Sequence, residues 1–179
     1  MHEDLLRYLK EIAPIAKGVI ISPQELVFEE NVKMNCFYCG RYGNNWRCPP
    51  NLPALDYQKM TSEFDKGMFV VYTCPISKND DYAAVRNESS IALHRTLLEL
   101  EKWMWNHNKA NALSFIGGSC KLCKGGCGKE KCNNPYQSRS PLEAIGVNVV
   151  KSAAKYGIDI HFPTKAQIIR CGLILWQED

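Results

Sequence analysis

The sequence predicts an α+β fold, or an α/β sandwich, in which a small mixed sheet with packed helices supports two cysteine-rich loops. Residues 68–74 are β-branched and aromatic, which is typical of a buried strand. Residues 81–106 have the strongest helical pattern in the chain. One face of that helix consists of Leu93, Leu97, Leu100 and Met104. Long connections between such segments hold most of the cysteines. We therefore expect the sheet and helices to position the cysteine-rich loops, and the loops to carry the chemistry.

The other elements follow from the same patterns. Ser140, Pro141 and Glu143 form a capping-box sequence, which predicts a helix start. Pro14 ends the helical pattern at the beginning of the chain. In order, we expect a helix at 3–13, strands at 18–21 and 25–28, a polar loop at 31–53, a short helix at 54–65, a strand at 112–116, a helix at 140–156 and a strand at 168–176.

Composition narrows the class of protein. The 179 residues fit one domain, 1–179, with cysteine-rich loops at 34–53 and 117–135, and 45% hydrophobic residues can fill a core. A net charge of +3, spread along the chain, is too small to favour nucleic acid or an anionic membrane surface. The N-terminal segment has no apolar core of the length that a signal peptide needs, and no stretch of the sequence approaches the length of a spanning helix. We therefore expect a cytoplasmic protein that binds neither nucleic acid nor membrane; the oligomeric state stays open.

The second cysteine cluster is the stronger of two. Its four thiols, spaced x2, x3 and x4, belong to Cys120, Cys123, Cys127 and Cys132. Neighbouring glycines let the backbone wrap around a metal. The compact spacing resembles ferredoxin-type loops more than zinc ribbons, whose Cys-x-x-Cys pairs usually lie about twelve or more residues apart. Four lysines and one acid surround the ligands, which suits an anionic [4Fe–4S] cluster: Lys121, Lys124, Lys129, Lys131 and Glu130. Zinc and free or redox-active thiols are the alternatives.

The first cluster is incomplete. Cys36, Cys39 and Cys48 are spaced x2 and x8, which is not the Cys-x3-Cys-x2-Cys spacing of radical S-adenosylmethionine enzymes. Cys74 is the candidate for a fourth ligand, although an ordinary buried thiol is the more usual role for such a residue. A three-cysteine cluster with one open iron is the second option, because that iron would bind a substrate as a Lewis acid. The third option is that both loops pool their ligands around fewer metals.

Some further residues have a simpler interpretation. Cys171, in an apolar strand, is expected to be a structural thiol. His94 shares a helix face with Arg86 and Ser90, and this polar line could face a cluster or a small anion. A solvated histidine, or one whose hydrogen bonds are satisfied in the core, is the commoner case. Glycine-rich nucleotide motifs, a His-Glu-x-x-His motif and a Gly-x-Ser-x-Gly elbow are all missing from the sequence, so a nucleotide-dependent or serine-hydrolase activity has no local support. Whether the protein is an enzyme stays open.

Three segments together resemble one family. They are CxxCGxYGxNWxCPP at 36–50, GGSCxLCxxxCxxxxC at 117–132 and SRSPLEAIGVNV at 138–149. This combination resembles the predicted metal-binding proteins of domain of unknown function 2284, over about residues 32–158. The resemblance implies metal binding through the seven clustered cysteines, with iron–sulfur the usual supposition and no established reaction.

The leading hypothesis is an iron–sulfur protein with one or two [4Fe–4S] clusters. It would transfer electrons to a redox partner protein or support a partner enzyme. The alternatives are an enzyme with a site-differentiated cluster at Cys36, Cys39 and Cys48, a zinc-stabilised binding module and, more weakly, a thiol–disulfide oxidoreductase.

Overall fold

One four-stranded sheet organises the chain, and the computed structural model describes residues 1–164 and 166–178. The helices are α1 (His2–Ile12), α2 (Glu30–Phe37), α3 (Tyr57–Ser62), α4 (Tyr82–Asn106) and α5 (Val149–Ala154). The strands are β1 (Ala16–Ile21), β2 (Lys66–Pro75), β3 (Leu113–Phe115) and β4 (Gln167–Trp176). Two short 3₁₀ turns lie at Pro23–Glu25 and Glu143–Ile145.

The strands are ordered β1-β2-β4-β3, and each described pairing is antiparallel. The long strands β2 and β4 pair from Lys66 opposite Trp176 to Pro75 opposite Gln167 and form the centre of the sheet. The predicted α+β class is confirmed, with the correction that the sheet is antiparallel rather than mixed.

Helices α1 and α4 cover one face of the sheet. Alternate residues of β2 and β4, Met68, Val70 and Ile174 among them, point to this face and are 0% exposed. The predicted apolar face of α4 packs against them, and all four of its members are fully buried: Leu93, Leu97, Leu100 and Met104. Burying each of these side chains contributes about 1.5–3 kcal/mol, so this face stabilises the fold strongly.

An irregular segment, 142–160, covers the other face. Leu142, Ile145 and Val147 pack with Phe69 and Leu173 in a second core. The predicted helix over 140–156 is wrong for its first half. No helix begins at Ser140, whose carbonyl accepts the Ile116 N–H at 3.0 Å. The 3₁₀ turn begins only at Glu143 and has no side-chain cap. The 3₁₀ turn ends at Gly146 with φ +94°, and Asn148 then caps α5 by accepting the Lys151 N–H at 3.0 Å.

Two predictions near residue 30 are also corrected. The expected strand at 25–28 is a turn, and Phe28 alone forms an isolated bridge to Val147. Helix α2 occupies the start of the predicted loop, so Cys36 lies in the last turn of a helix. None of the residues of α2 is buried, which explains why the sequence shows no helical periodicity there.

Helix α1 agrees with its prediction and ends beside Pro14. Within residues 1–164 and 166–178, no helix combines the length and apolar character needed to cross a bilayer.

Candidate metal centre

The two cysteine loops pack directly against each other. The side-chain amide of Asn45 donates to the carbonyl of Cys120 at 3.2 Å, and the Trp46 indole N–H donates to the carbonyl of Gly128 at 2.8 Å. Asn45 is buried, and its Oδ1 accepts the Arg47 N–H at 2.9 Å, which fixes the turn that presents these donors. The first loop therefore supplies hydrogen-bond donors to the backbone of the second.

Arg47 extends this contact to the segment that follows the second loop. Its Nε donates to Ser138 Oγ at 2.6 Å, and its Nη2 donates to the carbonyl of Pro135 at 3.0 Å. Ser138 Oγ also lies 3.5 Å from Cys132 Sγ. One arginine of the first loop is thus connected through a single hydroxyl to a predicted ligand of the second.

Helix α4 holds the exit of the second loop. Arg139 Nε donates to Glu101 Oε1 at 2.8 Å within a mostly buried ion pair, and the Ser114 N–H donates to the same oxygen at 2.9 Å. His94 Nε2–H donates to the carbonyl of Gln137 at 2.8 Å. The loop exit is therefore attached to α4 at two places, and the Glu101 carboxylate also contacts β3.

The thiols of the first cluster differ in exposure. Cys36 is partly buried, with its Sγ 3.8 Å from the carbonyl of Glu143, and Cys39 is exposed one turn later. Cys48 is buried, at 7% exposed. The pKa of Cys48 is raised to about 12, first by burial and then by the charges of Cys36, Cys39, Cys120 and Cys127. Cys48 thus has electrostatic neighbours in both loops.

The four thiols of the second cluster are partly buried. Burial also raises the pKa of Cys120, to which the charges of Cys127 and Cys132 contribute. A metal cation would reverse these shifts, because it stabilises the thiolate that it binds. The protons released on binding make metal affinity increase with pH.

Each cluster lines its own cavity. Cys36, Cys39 and Cys48 line a cavity of about 860 Å³. A second cavity, of about 430 Å³, has all four thiols of the other cluster in its wall: Cys120, Cys123, Cys127 and Cys132. The two cavities share the side chains of Arg41, Asn87 and Lys121. This division parallels the two clusters seen in the sequence.

The two remaining cysteines lie outside the two loops, although Cys171 also lines the larger cavity. Cys74, at the end of β2, has Ser89 and Arg170 as its polar neighbours and packs at the edge of the first core. Its role as a fourth ligand stays a prediction. Cys171 is buried in the second core, where burial raises its pKa, as expected of a structural thiol.

The cysteine side chains are suited to a thiophilic metal, although they do not converge on a common point in the structure. All nine cysteines are free thiols, and thiolates are the ligands that iron–sulfur clusters and zinc prefer. Across residues 1–164 and 166–178, no three potential metal-ligating side chains converge closely enough to hold an ion. A Cβ at Gly40, Gly43, Gly125 or Gly126 would meet nothing within 4 Å, so the loops are loosely packed at these positions.

Residues 19–176 match the family described as predicted metal-binding protein (DUF2284). The chain belongs to this family. The match includes both cysteine loops and β4, so it covers the packed scaffold as well as the motifs. No curated protein and no solved structure matches the chain. Membership in the family supports metal binding and does not distinguish iron–sulfur from zinc.

Sequence reasoning missed the non-cysteine groups of the larger cavity. Arg170 and Glu143 both line it, from β4 and from the 3₁₀ turn. Glu143 Oε2 is buried and makes no hydrogen bond within the described residues, and burial raises the pKa of this carboxyl. In the sequence, Glu143 resembles a helix-capping residue, and only the fold brings it to Arg170.

Proposed function

We propose that the protein binds a [4Fe–4S] cluster at Cys120, Cys123, Cys127 and Cys132 and acts in electron transfer or redox support of a partner enzyme. The observation that carries this proposal is the smaller cavity, because its wall includes all four thiols of one loop. Four cysteine ligands on a glycine-rich loop match the ligand number of such a cluster.

The charges around this loop suit an anionic metal site. Lys124, Lys129 and Lys131 are exposed on the loop, and Lys121 is partly buried beside it. Glu130 is the only acid between Cys120 and Cys132. A zinc ion with four thiolates is also anionic, so the charge favours iron–sulfur only together with the compact spacing.

The first cluster is proposed to hold a second iron–sulfur cluster. Cys74 is its candidate fourth ligand. The contacts of Cys74 with Ser89 and Arg170 favour the other candidate function, in which Cys36, Cys39 and Cys48 leave one iron open to a substrate. The large cavity in front of these three thiols suits that enzyme.

An exposed aromatic group beside Cys39 is the proposed contact for a redox partner protein. Phe37 and Tyr38 are 55% and 77% exposed, and Tyr42 packs edge-to-face on Phe37 with ring centroids 5.1 Å apart. Aromatic side chains are enriched in protein interfaces. We also infer a cytoplasmic location, because nine free thiols suit a reducing compartment.

The test is metal analysis of protein purified without oxygen. We expect iron and acid-labile sulfide, a visible absorption band and an electron paramagnetic resonance signal after reduction. Cys127→Ala should lose the cluster of the second loop, whereas Cys171→Ala, which removes a buried thiol outside the motifs, should keep it. Cys74→Ala separates the two functions: loss of the first-loop signal supports full cysteine ligation, and an unchanged signal supports the open iron. A colourless protein with stoichiometric zinc would overturn the iron–sulfur proposal and favour the zinc module.

A further inference from the structure

The larger cavity is strongly cationic. Among the described residues in its wall, the only acid is Glu143. The cations number four and come from four separate parts of the fold: Arg41, Arg86, Lys121 and Arg170. They belong to the first cysteine loop, α4, the second cysteine loop and β4, so only the folded chain brings them together.

These cations are close enough to repel one another. The charges of Arg170, Arg86 and Arg41 all act on Lys121. Burial lowers the pKa of Arg170, with the charge of Arg86 as the next cause. Opposite charge from Glu143 offsets only part of this repulsion. An anion among the four cations would relieve it, since opposite charges attract most strongly where water is partly excluded.

Hydrogen bonds within the protein hold two of the four cations in place, and the other two are available to a ligand. Lys121 Nζ donates to Ser90 Oγ at 3.2 Å and to the carbonyl of Ser119 at 3.0 Å. Arg170 donates from Nε to Ser89 Oγ at 3.3 Å and from Nη2 to the carbonyl of Arg86 at 2.8 Å. Within residues 1–164 and 166–178, the side chains of Arg41 and Arg86 make no hydrogen bond or ion pair.

The rest of the wall is largely apolar. Valine and isoleucine side chains line the side formed by α5, its flanks and β4, including Val147, Val150, Ile160 and Ile168. The volume of about 860 Å³ lies within the range of about 300–1,000 Å³ that is typical of small-molecule sites. A ligand with one charged end and an apolar body would match both parts of this wall.

We propose that the larger cavity binds a small organic anion. Its carboxylate or phosphate head group lies between Arg41, Arg86 and Arg170, and its apolar body lies against the valine and isoleucine side. Guanidinium groups suit this role, because their paired N–H donors match two oxygens of a carboxylate or phosphate. Cys36, Cys39 and Cys48 line the same cavity, so the anion lies beside the first metal site. The proposal goes beyond the metal-binding function and does not depend on which metal is bound.

The test is calorimetric titration of the metal-loaded protein under anaerobic conditions. Phenyl phosphate and benzoate provide the two head groups on one apolar body, and benzyl alcohol is the neutral analogue. We expect saturable binding of at least one of the two anions and none of the alcohol. The stronger anion identifies the preferred head group.

Charge-removing variants locate the binding site. Arg86→Gln and Arg41→Gln should each weaken binding of the preferred anion by about tenfold, the loss expected for one charge-assisted contact. Arg95→Gln is the matched control, because Arg95 is exposed on the same helix as Arg86 and lies outside both cavities. It should leave binding unchanged. Metal content should be the same in the wild type and all three variants.

The same experiment can reject the proposal. If neither anion binds, or if Arg95→Gln weakens binding as much as Arg86→Gln, the cavity is not an anion site. If Arg86→Gln instead lowers metal content and neither anion binds, the cations only balance the charge of the metal centre. In each case the metal analysis of the wild type still decides the proposed function separately.

Discussion

His94 lies in α4 with its side chain 1% exposed, and its Nε2–H donates to the carbonyl of Gln137. A carbonyl oxygen only accepts, so this hydrogen bond assigns the proton to Nε2. The pKa of His94 is lowered to about 4, chiefly by burial, with the charges of Arg139 and Lys121 acting in the same direction. In the sequence, His94 lies on a polar line of the helix. Its burial depends on residues 134–141, which follow the second cysteine loop and cover the side chain.

We expect His94 to make the folded state sensitive to mild acid. Between an unfolded pKa of about 6.5 and a folded pKa of about 4, the unfolded chain takes up a proton that the folded chain does not. The free energy of unfolding should therefore fall as the pH drops through this window, by up to about 3 kcal/mol.

Urea unfolding at several pH values from 7 to 4 measures this loss. His94→Gln is the control, because a glutamine amide can still donate to the carbonyl of Gln137 and does not titrate. The wild type should lose more stability than the variant over the same range. Equal losses in the two proteins would contradict the assignment.

Backbone contact between elements brings the start of the second loop close to β4. A Cβ at Gly117 would lie 2.6 Å from the carbonyl oxygen of Cys171, closer than such atoms can approach. Glycine at this position lets the chain leave β3 directly over the central strand. The next residue, Gly118, has φ +79°, which turns the chain into the cysteine loop.

We expect Gly117→Ala to lower the free energy of unfolding by about 1–3 kcal/mol, because the backbone of β4 cannot move aside at low cost. Gly125→Ala is the matched control within the same loop, since a Cβ there meets nothing within 4 Å. Thermal unfolding of both variants measures the difference. A loss in Gly125→Ala as large as that in Gly117→Ala would show that loop flexibility, rather than the contact with Cys171, is responsible.

At the level of elements, sequence patterns predict most reliably the helices and strands that bury one face. The prediction for α4 was 81–106 and the helix is Tyr82–Asn106, because its apolar residues repeat at helical spacing. Helix α2 was missed since it buries no residue. The segment at 140–156 was misjudged because a long-range bridge from Ile116 to Pro141 overrides a local capping signal.

The candidate site likewise has one part that the local sequence predicts and another part that only the fold creates. Cysteine spacing is local, so the sequence predicts the two clusters and the structure gives each its own cavity. The cations of the larger cavity come from residues up to about 130 positions apart, such as Arg41 and Arg170. No local pattern connects them, and only the folded chain brings them together.

In the molecule as a whole, the metal loops and the two hydrophobic cores are attached but distinct. The cores lie on the two faces of the sheet, and the loops are held to them chiefly through Arg139, His94 and Gly117. The loops are held to each other through Asn45, Trp46 and Arg47. Loosening one loop should therefore loosen the other without melting the sheet.

We expect chelation of the metal to increase amide hydrogen exchange in both 36–48 and 120–132 while residues 93–104 of α4 stay protected. Metal binding orders loops that the sheet does not order, so its loss is a local event. Mass-spectrometric exchange before and after anaerobic chelation measures this. Loss of protection across α4 as well would show that the metal stabilises the whole fold.

The place of β4 in the sheet affects when the protein can acquire its metal. Although it is the last strand of the described chain, β4 lies between β2 and β3 and contacts the start of the second loop. The seven motif cysteines all precede this strand in the sequence, so during synthesis they exist on an unfinished scaffold. Ordered metal loading should therefore follow completion of β4, and the thiols stay open to oxidation until a metal binds.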